Sequence, residues 1–130
     1  MADTKPDPCV IPYLLYRDVA NAIAWLTNVL GLHERFRATA DDGSANHAEM
    51  ELGDCGVVML GCPGPDYRNP KQLGYHTQLQ YVTVNDVEAH YAHARTAGAV
   101  IISELEDKDY GRAYALEDPE GHQWHVAQAR

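Results

Sequence analysis

Basic residues are scarce in this chain. Ten Lys and Arg stand against 19 Asp and Glu, for a formal net charge of −9. No Lys/Arg cluster forms a basic face, which argues against nucleic-acid binding through phosphate contacts. Cysteine is scarce as well. Cys9, Cys55 and Cys62 are odd in number and form no C-x-x-C pair. They predict reduced thiols in a cytoplasmic protein rather than a disulfide framework or a zinc knuckle. No run approaches the ~18 apolar residues that a membrane span needs. The start, Met1-Ala2-Asp3-Thr4-Lys5-Pro6-Asp7-Pro8, is polar and lacks the basic-then-apolar order of a signal peptide.

What is present is ordinary globular composition. The chain has 130 residues, 45% of them hydrophobic and 22% charged. That length suits one domain, or one domain built from two small halves, with a core that needs no disulfides. An acidic balance favours solubility and attracts cationic ligands without naming one.

The order of elements is legible from period and punctuation. Val10 to Tyr16 is a short apolar run, hence a strand. Asp18 is placed to cap a helix whose Val19, Ile23, Leu26 and Leu30 share one face, and Gly31 ends it. His33 to Ala38 is the next strand. In His47 to Leu52 the residues alternate: Ala48, Met50 and Leu52 on one side, His47, Glu49 and Glu51 on the other. Val57 to Leu60 is another strand. Residues 61–74 read as a connector rich in Pro and Gly.

The order then repeats. Thr77 to Val84 is a strand, Asp86 caps a helix ended by Gly98, and strands follow at Val100–Ser103, Arg112–Leu116 and Gln123–Gln128. An acidic turn separates the first two of these three. Arg17-Asp18-Val19 aligns with Asn85-Asp86-Val87, Tyr13 with Tyr81, and Gly56 with Gly121. In that alignment Ala48 and Met50 fall on Ala113 and Ala115. The reading is therefore an internal duplication, with modules at residues 10–60 and 75–130, each strand–helix–strand–strand–strand.

The stretches IPYLLYRDVANAIAWLTNVLGL, HAEMELGDCGVVML, VNDVEAHYAHARTAGA and ALEDPEGHQWHV cover most of the chain. Together they resemble the vicinal oxygen chelate superfamily, the glyoxalase / bleomycin-resistance / dioxygenase family. The Asp-Pro-Glu-Gly turn ahead of an aromatic-bearing strand is the most specific piece. The resemblance implies an α+β fold, with two βαβββ modules forming a curved mixed sheet around a cavity. It also implies a homodimer that completes its cavity with the partner chain.

Metal-dependent members of that family carry ligands on the first and fourth strands of each module. Counting from the turn glycines and the helix-capping aspartates, the resemblance places these positions at Ile11, Leu60, Leu79 and His125. Three of the four have no donor atom, so neither metal nor cofactor is expected.

If those four positions face a cavity, alternation sends Tyr13, Leu15, Val58, Tyr81, Thr83 and Gln123 to it as well. Leu14, Val57, Met59, Val82, Trp124 and Val126 then face the helices as core. On the third strands the cavity sets are His47, Glu49 and Glu51, and Arg112, Tyr114 and Leu116. The candidate ligand-binding residues are thus Tyr13, Glu49, Glu51, Tyr81, Arg112, Tyr114, Gln123 and His125. His90 and His93, on a helix, are expected to be solvated. The segment with Tyr67 and Arg68 is open to two readings, a flap over the cavity mouth or a plain connector.

The expected function is metal-independent binding of a small organic ligand, with sequestration of an antibiotic or toxic metabolite as the implied role. No nucleic acid or membrane partner is expected. Two enzymatic readings stay open. One is a metal-dependent lyase, isomerase or dioxygenase, which requires a different register. The other is metal-free acid–base chemistry by His125 or a cavity glutamate.

Overall fold

A computed structural model describes residues 6–130 of the chain. The elements alternate as the sequence predicts. Strand β1 (Tyr13–Leu15) leads to helix α1 (Val19–Trp25), which runs into a π-helical turn at Leu26–Leu30. Strands β2 (His33–Thr39), β3 (Ala45–Leu52) and β4 (Gly56–Gly61) follow. After a one-turn helix α2 (Pro70–Leu73) come β5 (Leu79–Val84), α3 (Val87–Thr96), β6 (Val100–Lys108), β7 (Gly111–Glu117) and β8 (Gln123–Gln128). Among the described residues no helix is long and apolar enough to cross a membrane.

The fold is α+β, with two four-stranded mixed sheets of identical topology. The first has the order β1-β4-β3-β2 and the second β5-β8-β7-β6. In each, the first strand runs parallel to the last and the other pairs are antiparallel. The described residues divide into two compact units: 6–27 together with 31–67, and 28–30 together with 68–130.

The caps expected from sequence are made. Asp18 accepts from the Asn21 amide at 3.0 Å and Asp86 from the Ala89 amide at 3.1 Å. Gly31 closes the first helix in the left-handed region, at φ 77°. The faces turned to the helices carry the core. In the first unit this includes Leu14, Val19, Ile23, Ala48, Met50, Val58 and Leu60; in the second it includes Val87, Ala94, Tyr114, Leu116, Trp124 and Val126.

Several expectations need correction. The first strand pairs only over Tyr13–Leu15, because Pro12 has no amide and joins the sheet only as an acceptor for the Met59 N–H, at 2.9 Å. The 61–74 segment is not all connector. Asn69 and Gln72 form a reciprocal capping box around Pro70, which nucleates α2. The acidic run after Ser103, expected to turn, continues β6 to Lys108, since it finds partners along β7.

The Asp-Pro-Glu-Gly turn is tied from within. Asp118 accepts from the amides of Glu120 and His122, both at 3.0 Å, and from Trp124 Nε1 at 3.3 Å. Asn69 Nδ2 donates to Glu120 Oε1 at 2.9 Å, and α2 lies close against Gly121. A Cβ there would stand 2.6 Å from the Lys71 nitrogen. That approach and a φ of 95° require glycine at this position.

Candidate functional site

Each sheet has one face under its helix and one face away from it. The pairing register decides which side chains share the second, open face. In the first sheet Tyr13 opposes Met59, and Met59 opposes Glu49. Along β3 and β4, Glu51 stands opposite Val57 and His47 opposite Gly61. Tyr13, His47, Glu49, Glu51, Val57 and Met59 therefore lie on the open face. In the second sheet Leu79 opposes Gln123, Tyr81 opposes His125, and His125 opposes Ala115. Leu79, Tyr81, Gln123 and His125 thus share that unit's open face with Ala113, Ala115 and Glu117. Tyr13 and Tyr81 are both half exposed there, at 51% and 52%.

Two strands run in the opposite phase to expectation. On β4, Leu60 is fully buried and stands between Leu14 and Ala48 on the helix side, with Val58 beside Met50. Val57 and Met59 take the open side instead. On β7, Tyr114 is 1% exposed and packs under α3, and Leu116 is equally buried.

Both errors trace to turn length. Leu52 closes on Gly56 across three residues, 53–55, whereas Glu117 closes on Gln123 across five, 118–122. Gly56 and Gly121 are therefore not equivalent. His125 corresponds to Met59, and Ala48 and Met50 correspond to Tyr114 and Leu116. A slip of one residue exchanges the two faces of a strand.

Arg112 and Tyr114 consequently stand apart from the other candidates. Arg112 Nε donates to Glu88 of α3 at 2.9 Å and its NH1 to Asp107 at 3.1 Å. The Tyr114 hydroxyl lies 2.7 Å from His90 Nδ1, and burial pushes it well above the usual phenol range. His90 is half-buried rather than solvated, whereas His93 is exposed as expected. Their Nε2 atoms lie 3.0 Å from the Leu30 carbonyl oxygen and 2.6 Å from that of Asn28. Burial lowers the His90 pKa, the Leu30 bond opposes the shift, and His93 adds a smaller lowering.

The polar groups of the first open face form a chain. The Tyr13 hydroxyl lies 2.8 Å from His47 Nδ1, and His47 Nε2 lies 3.5 Å from Glu49. Glu49 accepts from Arg35 Nε at 3.0 Å, and the Arg35 fork is held by both carboxylate oxygens of Asp7, at 2.8 and 2.9 Å. Arg35 thereby holds the Asp7 carboxyl below its ordinary range, and Asp7 raises Arg35 in turn. The rings of Tyr13 and Phe36 flank His47, at centroid distances of 5.6 and 6.0 Å.

Next to this chain a groove of about 820 Å³ is lined by Pro6, Pro8, Phe36 and Val57 and by Asp7, Arg35, Glu49 and Glu51, and it ends at the 53–56 hairpin. The sequence offered no sign of Arg35. It sits at a bulge between Glu34 and Phe36, where strand alternation breaks.

The second open face is less charged. Burial is the main cause lowering the His125 pKa, with Lys108 and His76 adding positive charge nearby. Tyr81 and Tyr110 meet at 6.2 Å between centroids. Gln123 and Glu117 line a smaller recess of about 240 Å³ with His76 and Tyr75. Tyr67 settles on its own unit: its hydroxyl donates to the Leu15 carbonyl at 3.0 Å.

A divalent ion does not fit the residues that the resemblance nominates. With Leu60 turned to the core and Met59 in its place, Ile11, Met59 and Leu79 supply one thioether and no oxygen or nitrogen. His125 is then the sole imidazole of the set. Glu49, the nearest carboxylate on the first open face, is engaged by Arg35. Among the described residues no three His, Cys, Asp or Glu side chains are grouped to hold a metal.

Comparison with known proteins agrees with this architecture. The sequence profile of the Glyoxalase/Bleomycin resistance protein/Dioxygenase superfamily matches residues 6–126. An uncharacterized protein of Mycobacterium bovis is 30% identical over 128 residues, covering 94% of this chain and 84% of its own length. The crystal structure of TioX from Micromonospora sp. ML1 is 34% identical with a TM-score of 0.76, covering 91% of this chain and 95% of TioX. TnmS3, an antibiotic binding protein from Streptomyces sp. CB03234, shares the fold at 14% identity and a TM-score of 0.68, covering 97% of this chain and all of TnmS3.

Proposed function

This chain belongs to the glyoxalase/bleomycin resistance protein/dioxygenase superfamily, and we propose that it binds a small organic ligand on the open faces of its sheets without using a metal. The observation that carries the reading is the groove beside β2 and β3. Its volume, about 820 Å³, lies within the range of small-molecule sites, and its lining mixes the apolar Pro6, Pro8, Phe36 and Val57 with the charged Asp7, Arg35, Glu49, Glu51 and Asp54. TnmS3 is a precedent for antibiotic binding on this fold. Sequestration of an antibiotic or toxic metabolite is the role we assign.

In this reading Glu49 and Glu51 supply charge at the groove and Tyr13 offers a flat ring for stacking. Tyr81, Gln123 and His125 serve the same purpose in the second unit. A homodimer in the cytoplasm is part of the proposal.

A thermal-shift screen across antibiotics and reactive metabolites tests it. A ligand at a hundredfold excess over its dissociation constant stabilises the protein by about 2.7 kcal/mol, which reads as a raised melting temperature. No response from any compound would sink the binding role.

A second reading, metal-free proton transfer, has one observation in its favour: the unbroken Tyr13–His47–Glu49 contacts beside the groove. Glu49→Gln and His125→Ala, assayed for turnover of any ligand found, separate the two. Binding alone predicts no turnover by the parent protein.

A further inference from the structure

Part of the groove wall is neither strand nor helix. Pro6, Asp7 and Pro8 line it, and residues 6–8 have no regular structure. Among the described residues the first backbone bond tying this end to the sheet comes later, at the Pro12 carbonyl. Among the described residues, the polar contact that joins the segment to β2 and β3 is Asp7, paired fork-to-fork with Arg35.

Arg35 does not depend on that pair. Its Nε keeps Glu49 at 3.0 Å, and its NH1 lies 3.7 Å from Glu51. Three carboxylates thus surround one guanidinium. If Asp7 withdraws, Arg35 remains neutralised and Asp7 returns to water. The pair is also partly solvated, with 24% of the Arg35 side chain and 42% of the Asp7 side chain exposed. Though bidentate, a pair this solvated is screened by salt. Pro6 and Pro8 have no amide N–H, so neither can tie the segment to the sheet as a backbone donor.

We infer that residues 6–11 form a strap across the groove, latched by Asp7 on Arg35, and that a ligand entering the groove displaces the latch. The strap is a tethered competitor for the site. The inference rests on the groove being the ligand site proposed above.

The test uses the whole 130-residue chain. Cys55 and Cys62 are replaced by serine, and a nitroxide is attached to the exposed Cys9, inside the strap. The parent protein is expected to give a motionally restricted spectrum at low salt. Asp7→Asn and added sodium chloride should both give a mobile one, while Asp7→Glu keeps the restriction. Nile red, a neutral apolar dye, then reports on the groove. Its affinity should rise roughly two- to fivefold in Asp7→Asn, the range that an exposed ion pair supports.

A label equally mobile in the parent and in Asp7→Asn overturns the latch. A label that loosens while Nile red affinity stays unchanged, or while the dye binds neither protein, overturns the competition. Failure of the ligand screen leaves the label result standing, so the two proposals fail separately.

Discussion

The two units build the same strand order from opposite distributions of bulk and polarity. On β3 the residues away from α1 are His47, Glu49 and Glu51; at the matching places on β7 stand Ala113, Ala115 and Glu117. Under the helices the contrast reverses. Ala48 and Met50 lie beneath α1, whose inner residues are Val19, Ala22 and Ile23, all apolar. Tyr114 and Leu116 lie beneath α3, whose Ala94 is small and whose His90 reaches the Tyr114 hydroxyl. The first unit sets small and apolar residues beneath its helix and a charged row on its open face. The second places a hydrogen-bonded aromatic beneath its helix and sets small, buried alanines on the other face. The backbone tolerates both because it requires only that the period and the total volume be met.

The largest expected effect tests the face assignment itself. Leu60→Ala should cost about 2–5 kcal/mol in urea unfolding, as a fully buried leucine does. Met59→Ala, one residue away on the open side, should cost well under half of that. Equal losses would return Leu60 to the open face and undo the comparison.

Next comes the turn that sets the register of the second unit. Asp118→Ala removes a buried carboxylate that serves two amides and the Trp124 indole, with an expected cost of about 1–3 kcal/mol. A loss within the noise would mean that the five-residue turn does not depend on these bonds.

The smallest effect separates the units by pH. Burial lowers His90 and His125 below the ordinary histidine value of 6.5. In that window the unfolded chain binds protons more readily than the folded one, so stability falls as pH drops through about 6.5. His90→Asn should flatten part of this slope in melting curves between pH 7 and 5. The latch of the first unit follows the other rule. Asp7 is lowered, so its contribution is present above 3.8 and is lost as pH falls below that value. A melting curve with no slope near 6.5 would remove the electrostatic half of the contrast.

Much of this was readable in advance for reasons that can be named. The helix caps at Asp18 and Asp86, the left-handed stop at Gly31 and the alternation of His47–Leu52 are local, and each is decided within a few residues of chain. The duplication was readable because the same punctuation occurs twice. On the candidate site the sequence was a partial guide. Tyr13, Glu49 and Glu51 share one open face, and Tyr81, Gln123 and His125 share the other, while Arg112 and Tyr114 lie with α3. Arg35 and its hold on Asp7 were invisible, because a bulge and a contact across 28 residues leave no periodic trace.

By itself, then, the amino-acid order determined the type and order of the main strands and the two long helices, the caps of those helices, and that the pattern occurs twice. Only tertiary pairing decided which side of β4 and β7 meets a helix and which charges meet in the groove. The reason is geometric: a strand's two faces differ by one residue of register, and register is set by the partner strand and the turn between them.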